Sequence, residues 1–135
     1  PIEEPAKYYN YVHRFIGLIK GVGAKPLLFL NWRRTDYPNP QSAWNTVIFN
    51  AADTDGVAVA PIGTAWTNTS GINLYKDGNH AITEGAYLAS ASIYSSICGH
   101  AAVPISNGLD SSLQSSLAAT AWAVVSDLPS QYRLP

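Results

Sequence analysis

The chain has 135 residues (14.5 kDa), 47% hydrophobic and 13% charged, which is enough apolar material for one cored domain and excludes a disordered segment. Eight Lys and Arg against nine Asp and Glu give a net charge of −1 with no basic run, so there is no electrostatic footprint for nucleic acid or for an anionic membrane surface. Cys98 is the single cysteine, which excludes an internal disulfide and a cysteine-rich zinc site.

Taken in order, Tyr8, Val12, Phe15, Ile16 and Ile19 recur at helical spacing and predict an amphipathic helix over residues 3–20 with one apolar stripe, stopped by Gly21 and Gly23. Residues 26–30 are a short continuous apolar run, the pattern of a strand covered on both faces in a parallel sheet. The wider apolar stretch, residues 24–32, contains Lys25 and Pro26 and is too short to span a bilayer. Residues 31–41, rich in Arg, Asp, Asn and Pro, read as a loop at the C-terminal end of that strand, where open α/β sheets keep their ligand sites. Ser42 is placed to cap a second helix with Trp44, Val47, Ile48 and Ala51 on its apolar side.

A turn at residues 53–56 leads to a second buried strand, residues 57–60, ended by Pro61. Residues 61–73 read as irregular, with a short helical turn around 64–66 and a glycosylation sequon at Asn68. A helix is predicted over 83–98 with Tyr87, Leu88, Ala91, Tyr94 and Cys98 on one side and Gly99 as its stop, which makes Cys98 a buried small hydrophobe. A polar link, 101–110, leads to a last helix over 111–126 with Leu113, Leu117, Ala121 and Val124 as its stripe. Helix, strand, helix, strand, helix is an α/β layer order. Two strands make a poor sheet, so the expectation is a single domain, residues 1–135, that is the C-terminal portion of a larger α/β domain. Its apolar cut face would be covered by an absent segment, a partner or further copies. No signal peptide is visible, but the chain starts at Pro1, and an upstream segment is expected to have been removed or left out.

One stretch carries chemistry: Leu74-Tyr75-Lys76-Asp77-Gly78-Asn79-His80, immediately before the helix at Thr83. With Gly78 between them, Asp77 can accept a hydrogen bond from one imidazole nitrogen of His80 while the other faces a reacting group as general base. The helix N-terminus disfavours imidazolium and Asp77 favours it, so the two influences oppose each other. From spacing alone the plainer reading, a turn followed by a surface histidine, is favoured, because a bare Asp-x-x-His recurs by chance. Two ligands are too few for zinc, and neither His13 nor His100 stands at a spacing that completes a set, so no metal site is expected. Trp32 and Arg33, on the loop after the first strand, and Trp66, ahead of the Asp77 loop, are candidates for lining a substrate pocket, against the alternative of a surface loop and plain packing.

Asp77-Gly78-Asn79-His80, followed by Glu84-Gly85-Ala86-Tyr87-Leu88-Ala89, resembles the last conserved block of the SGNH (GDSL-like) hydrolases. Leu74-Tyr75 before it, Gly108-Leu109-Asp110 leading to a helix with Ala121-Trp122, and the segment from Phe15 to Trp32 extend the likeness over nearly the whole chain. The resemblance implies a three-layer α/β/α, flavodoxin-like fold with a parallel sheet, of which this chain is the C-terminal part. It implies that Asp77 and His80 are the acid and base of a Ser-His-Asp triad acting on a small ester by way of an acyl-serine, with no metal or cofactor. The family's Gly-Asp-Ser, Gly and Asn blocks are not in this sequence, and none of its serines has the context of an exposed nucleophile. The nucleophile is therefore expected from an upstream segment or a separate chain. The competing expectation is a non-catalytic interaction or self-assembly module on the same fold fragment. Many relatives are exported, which favours a secreted or periplasmic location.

Overall fold

Along residues 3–134, the part of the chain that this computed structural model describes, helices and strands alternate as far as the second strand and helices follow. The order is α1 (Pro5–Gly21), β1 (Leu27–Phe29), α2 (Gln41–Asp55), β2 (Ala58–Ala60), α3 (Ile62–Asn68), α4 (Thr83–Cys98) and α5 (Ser111–Asp127), followed by a 3-10 turn at Ser130–Tyr132. The architecture is thus mostly helical α/β, with five α-helices and a two-stranded parallel sheet among the described residues. Leu27, Leu28 and Phe29 pair with Ala58, Val59 and Ala60, and α2 is the crossover that a parallel pair requires.

Local chemistry sets the ends of these elements. Pro5 opens α1, where its missing N–H costs nothing. Gly56 and Gly99 end α2 and α4 in the left-handed region. Asp110 caps α5 by accepting the N–H groups of Ser112 (2.9 Å) and Leu113 (3.0 Å). Side-chain alternation along the strands then divides the core in two. Leu28, Leu30, Val57 and Val59 pack with Ile16 of α1 and Ile48 and Ala52 of α2. Leu27 and Ala60 face the other way, onto a cluster that includes Ile62, Leu88, Leu117 and Ala121 of α3, α4 and α5.

Several elements differ from their sequence expectation. The run 26–30 is not covered on both faces: Leu30 is fully buried but Phe29 is 47% exposed, because α4 packs against β2 and leaves that face of β1 open. In α1 only Ile16 is buried, and Phe15 lies in a second, exposed row with Tyr11, Leu18 and Val22. Ser42 is inside α2, which starts at Gln41 after Pro40, and makes no cap. Trp44 is half-buried rather than core. The turn expected at 64–66 is part of the seven-residue α3.

The largest difference is in α4. Ser92, Ser95 and Ser96 are buried, whereas Tyr94 is 38% exposed and Cys98 is exposed. Ser92 and Ser96 donate their hydroxyls to the carbonyls of Leu88 (2.9 Å) and Ser92 (2.8 Å), one turn back. A serine satisfied this way behaves as a small residue and allows close helix packing against α5, so the buried face rotates away from Tyr94 and Cys98.

Candidate functional site

The stretch 74–82 folds into a tight hairpin. Tyr75 bridges Ala81 in antiparallel fashion, Lys76 N–H donates to the His80 carbonyl (2.8 Å) and Ile82 N–H to the Leu74 carbonyl (3.1 Å). Gly78 makes the turn at φ 80°, and a side chain there would also run into Thr35 Oγ1. Asp77 Oδ1 accepts the backbone N–H groups of His80 (2.8 Å) and Asn79 (3.1 Å), and its Oδ2 lies 2.8 Å from His80 Nδ1. An ionised carboxylate only accepts, so Nδ1 carries the proton of the neutral ring and Nε2 keeps its lone pair. The backbone N–H of His80, its ring N–H and the N–H of Asn79 hold the Asp77 carboxyl well below the usual carboxylate range.

Three hydrogen bonds dock this hairpin onto the loop leaving the C-terminal end of β1. Trp32 Nε1–H donates to the Asn79 carbonyl (2.9 Å), Thr35 N–H to the Gly78 carbonyl (2.8 Å), and the Tyr75 hydroxyl to the Arg33 carbonyl (2.6 Å). Gln41 braces the same loop from α2: its Oε1 accepts Arg33 N–H (2.8 Å) and its Nε2 donates to the Asn31 carbonyl and Asn45 Oδ1 (both 3.1 Å). Gly63 leaves room for this brace, since a β-carbon there would collide with Gln41 and the Asn31 carbonyl.

Trp32, Arg33 and Trp66 all come to the hairpin, in different roles. Trp32 stacks on Trp66 with ring centroids 4.2 Å apart and planes 12° from parallel, and Trp66 meets Tyr75 edge-on at 5.0 Å. Trp66 is buried and packs under the hairpin against Gly85. Arg33 and Trp66 border a recess of about 360 Å³ together with Gln41 and Tyr75. The Arg33 guanidinium is tied within its own loop, donating to the Tyr37 carbonyl (2.7 Å). Arg34 closes on Asp36 through two hydrogen bonds (3.0 and 2.6 Å), which hold the Asp36 carboxyl low.

This arrangement can fix the orientation of an imidazole. It is also open, with the His80 and Asp77 side chains 72% and 51% exposed. Among the described residues no serine, threonine or cysteine side chain hydrogen-bonds His80, whose ring pairs only with Asp77. No three His, Cys, Asp or Glu side chains among them converge on a common point, and no helix is long and apolar enough to cross a membrane. A second imidazole–carboxylate pair, His13 Nδ1 and Asp55 Oδ1 at 2.5 Å, escaped sequence reasoning because its members are 42 residues apart. Lys20 Nζ also donates to the Asp55 carbonyl (2.6 Å). Asp55 ends α2 just before β2, at the opposite end of the parallel sheet from the hairpin, so this pair clasps α1 to α2.

Tyr75, Thr35 and Gln41 position the dyad; Tyr75 was named in the stretch from the sequence but given no such role, and Thr35 and Gln41 were not singled out. Only Gly78 hinted at a close approach, because its partner Thr35 lies 43 residues away in sequence and next to it in space. Comparison of the chain with protein families, with curated proteins and with solved structures finds no match.

Proposed function

We propose that Asp77 and His80 are the acid and base of a serine ester hydrolase of the SGNH type, built on a three-layer α/β/α sheet of which this chain contributes the C-terminal part. The observation that carries this reading is the dyad itself: a carboxylate held by two backbone N–H groups, 2.8 Å from Nδ1, with Nε2 left able to accept a proton. In the reaction His80 Nε2 takes the proton of a serine hydroxyl as its oxygen bonds to the ester carbonyl carbon, and returns that proton to the departing alkoxide. Water then enters by the same route and releases the acid. Asp77 keeps the ring oriented and stabilises the imidazolium between those steps.

The serine and the oxyanion donors come from a separate segment or chain. An imidazole 72% exposed is a solvated base, and it needs a covering element to act on a bound carbonyl. The open face of β1 at Phe29 and the exposed row Tyr11, Phe15, Leu18 and Val22 on α1 offer such an element apolar surface. The same surface favours a second reading, a self-assembling module without catalysis. A fluorophosphonate probe separates the two. Under the first reading a co-purifying chain with a Gly-Asp-Ser block is labelled, and His80→Ala lowers labelling by at least about a thousandfold. A homogeneous assembly of this chain, inert to the probe, overturns it.

A further inference from the structure

We infer that a trough along the exposed side of α4 binds the alkyl chain of an uncharged ester. Assigning that chain to the substrate of the Asp77–His80 site rests on the esterase reading above. Thr83, Ala86, Ser90 and Tyr94 recur along one side of α4 and form the floor with Ala91. Ala102, Val103 and Ile105, from the segment between α4 and α5, form the facing wall. The space between is about 400 Å³, inside the range of about 300–1,000 Å³ typical of small-molecule sites. No charged residue lines it, which disfavours an ionic ligand.

The wall is held without help from a ligand. Gln114 of α5 is 1% exposed; its Oε1 accepts Ile105 N–H (2.8 Å) and its Nε2 donates among the Ile105 carbonyl (3.0 Å), Asn107 Oδ1 (3.0 Å) and the Leu109 carbonyl (2.9 Å). Tyr87 adds a hydroxyl bond to the Val103 carbonyl (3.4 Å). These bonds keep Val103 and Ile105 at the surface, 67% and 59% exposed, although both are apolar. A wall already ordered loses little entropy when a chain settles on it. The trough begins at Thr83, three residues after His80, and at 1.5 Å per residue runs about 16 Å along the helix to Tyr94. An ester whose carbonyl sits at His80 can lay its acyl chain along it.

The test is a titration of the ¹⁵N-labelled chain with 1-butanol, 1-hexanol and 1-octanol, which needs no nucleophile. The expected result is amide shifts at Thr83, Ser90, Val103 and Ile105, with affinity rising roughly three- to fourfold per added methylene. Ser90→Leu, at an exposed helical position, fills the trough and removes the response; Ala119→Leu, exposed on α5, leaves it intact. Shifts elsewhere, no dependence on chain length, or binding that persists in Ser90→Leu overturns the inference. So do trough resonances that answer to protein concentration instead of alkanol, the sign of a second copy in the groove. Alkanol binding with no fluorophosphonate-labelled partner removes the esterase and leaves an alkyl site; a labelled partner with no alkanol response removes the trough alone.

Discussion

Gly85 tests whether the hairpin sits where its contacts place it. A β-carbon on Gly85 would stand 2.5 Å from the Leu74 carbonyl oxygen and 2.5 Å from Cη2 of Trp66, against about 3.5–4.0 Å for an ordinary contact. Both neighbours are constrained: the Leu74 carbonyl accepts Ile82 N–H at the hairpin base, and Trp66 is stacked on Trp32. Neither retreats by an ångström without disturbing the dyad's support. Overpacking of this kind costs about 1–3 kcal/mol, towards the upper half where backbone and a buried ring must both move. Alanine regains about 1 kcal/mol over glycine in a helix interior, so the net expectation for Gly85→Ala is a loss of about 1–2 kcal/mol. Gly17 in α1 is the matched control, with nothing within 4 Å of its added β-carbon, and Gly17→Ala gains about 0.5–1 kcal/mol. Urea melts followed by circular dichroism should separate the two midpoints by about 1 M, taking a slope of about 2 kcal/mol/M. If Gly85→Ala is as stabilising as Gly17→Ala, the packing of Trp66 beneath the hairpin is wrong.

The depressed Asp77 carboxyl gives a signed pH dependence. A folded-state pKa below the unfolded value of about 3.9 contributes stability that is present above that pH and is lost as pH falls through the folded value. The gap between wild type and Asp77→Asn should accordingly be widest above about pH 5 and close on acidification; a gap independent of pH contradicts the hydrogen-bonded carboxylate. Gly78→Ala meets both a positive φ and Thr35 Oγ1, and should lose about 1–3 kcal/mol. Thr35→Ala recovers only the steric share, so full recovery in the double variant counts against a conformational role for Gly78. Gln114→Leu leaves Ile105 N–H without its acceptor and should cost about 2–4 kcal/mol, with amide exchange accelerated at Ile105. Protection of that amide unchanged from wild type would show that Gln114 does not hold the wall.

Much of the fold was legible because it depends on local rules. The helix at Thr83–Cys98 and its glycine stop were found where the structure has them, since a left-handed C-cap and a periodic apolar face are visible within one window. The positions of both strands, and their parallel order, followed from short apolar runs separated by a helix. The burial of α4 was misread for the opposite reason. Counting Ser as polar and Tyr and Cys as apolar put Tyr94 and Cys98 on the buried face with Tyr87, Leu88 and Ala91, which are buried, while packing against α5 selected by size and let Ser92 and Ser96 bond their own backbone.

The site divides along the same line. Asp77 and His80 are three residues apart, so turn geometry within one hairpin suffices to join them, and their pairing was foreseeable from the chain alone. Which residues support them was not, because Trp32, Thr35 and Arg33 reach the hairpin across more than 40 residues of sequence. Composition left no electrostatic footprint for nucleic acid or an anionic surface, and the Asp-x-x-His spacing allowed the pair beside the plainer reading of a turn and a surface histidine. Only tertiary packing decided that this imidazole stands open to solvent, that Trp66 packs against Trp32, Tyr75 and Gly85 at the hairpin base, and that a trough begins at Thr83. Exposure and enclosure are properties of what lies across the fold, and no window of sequence contains the other side.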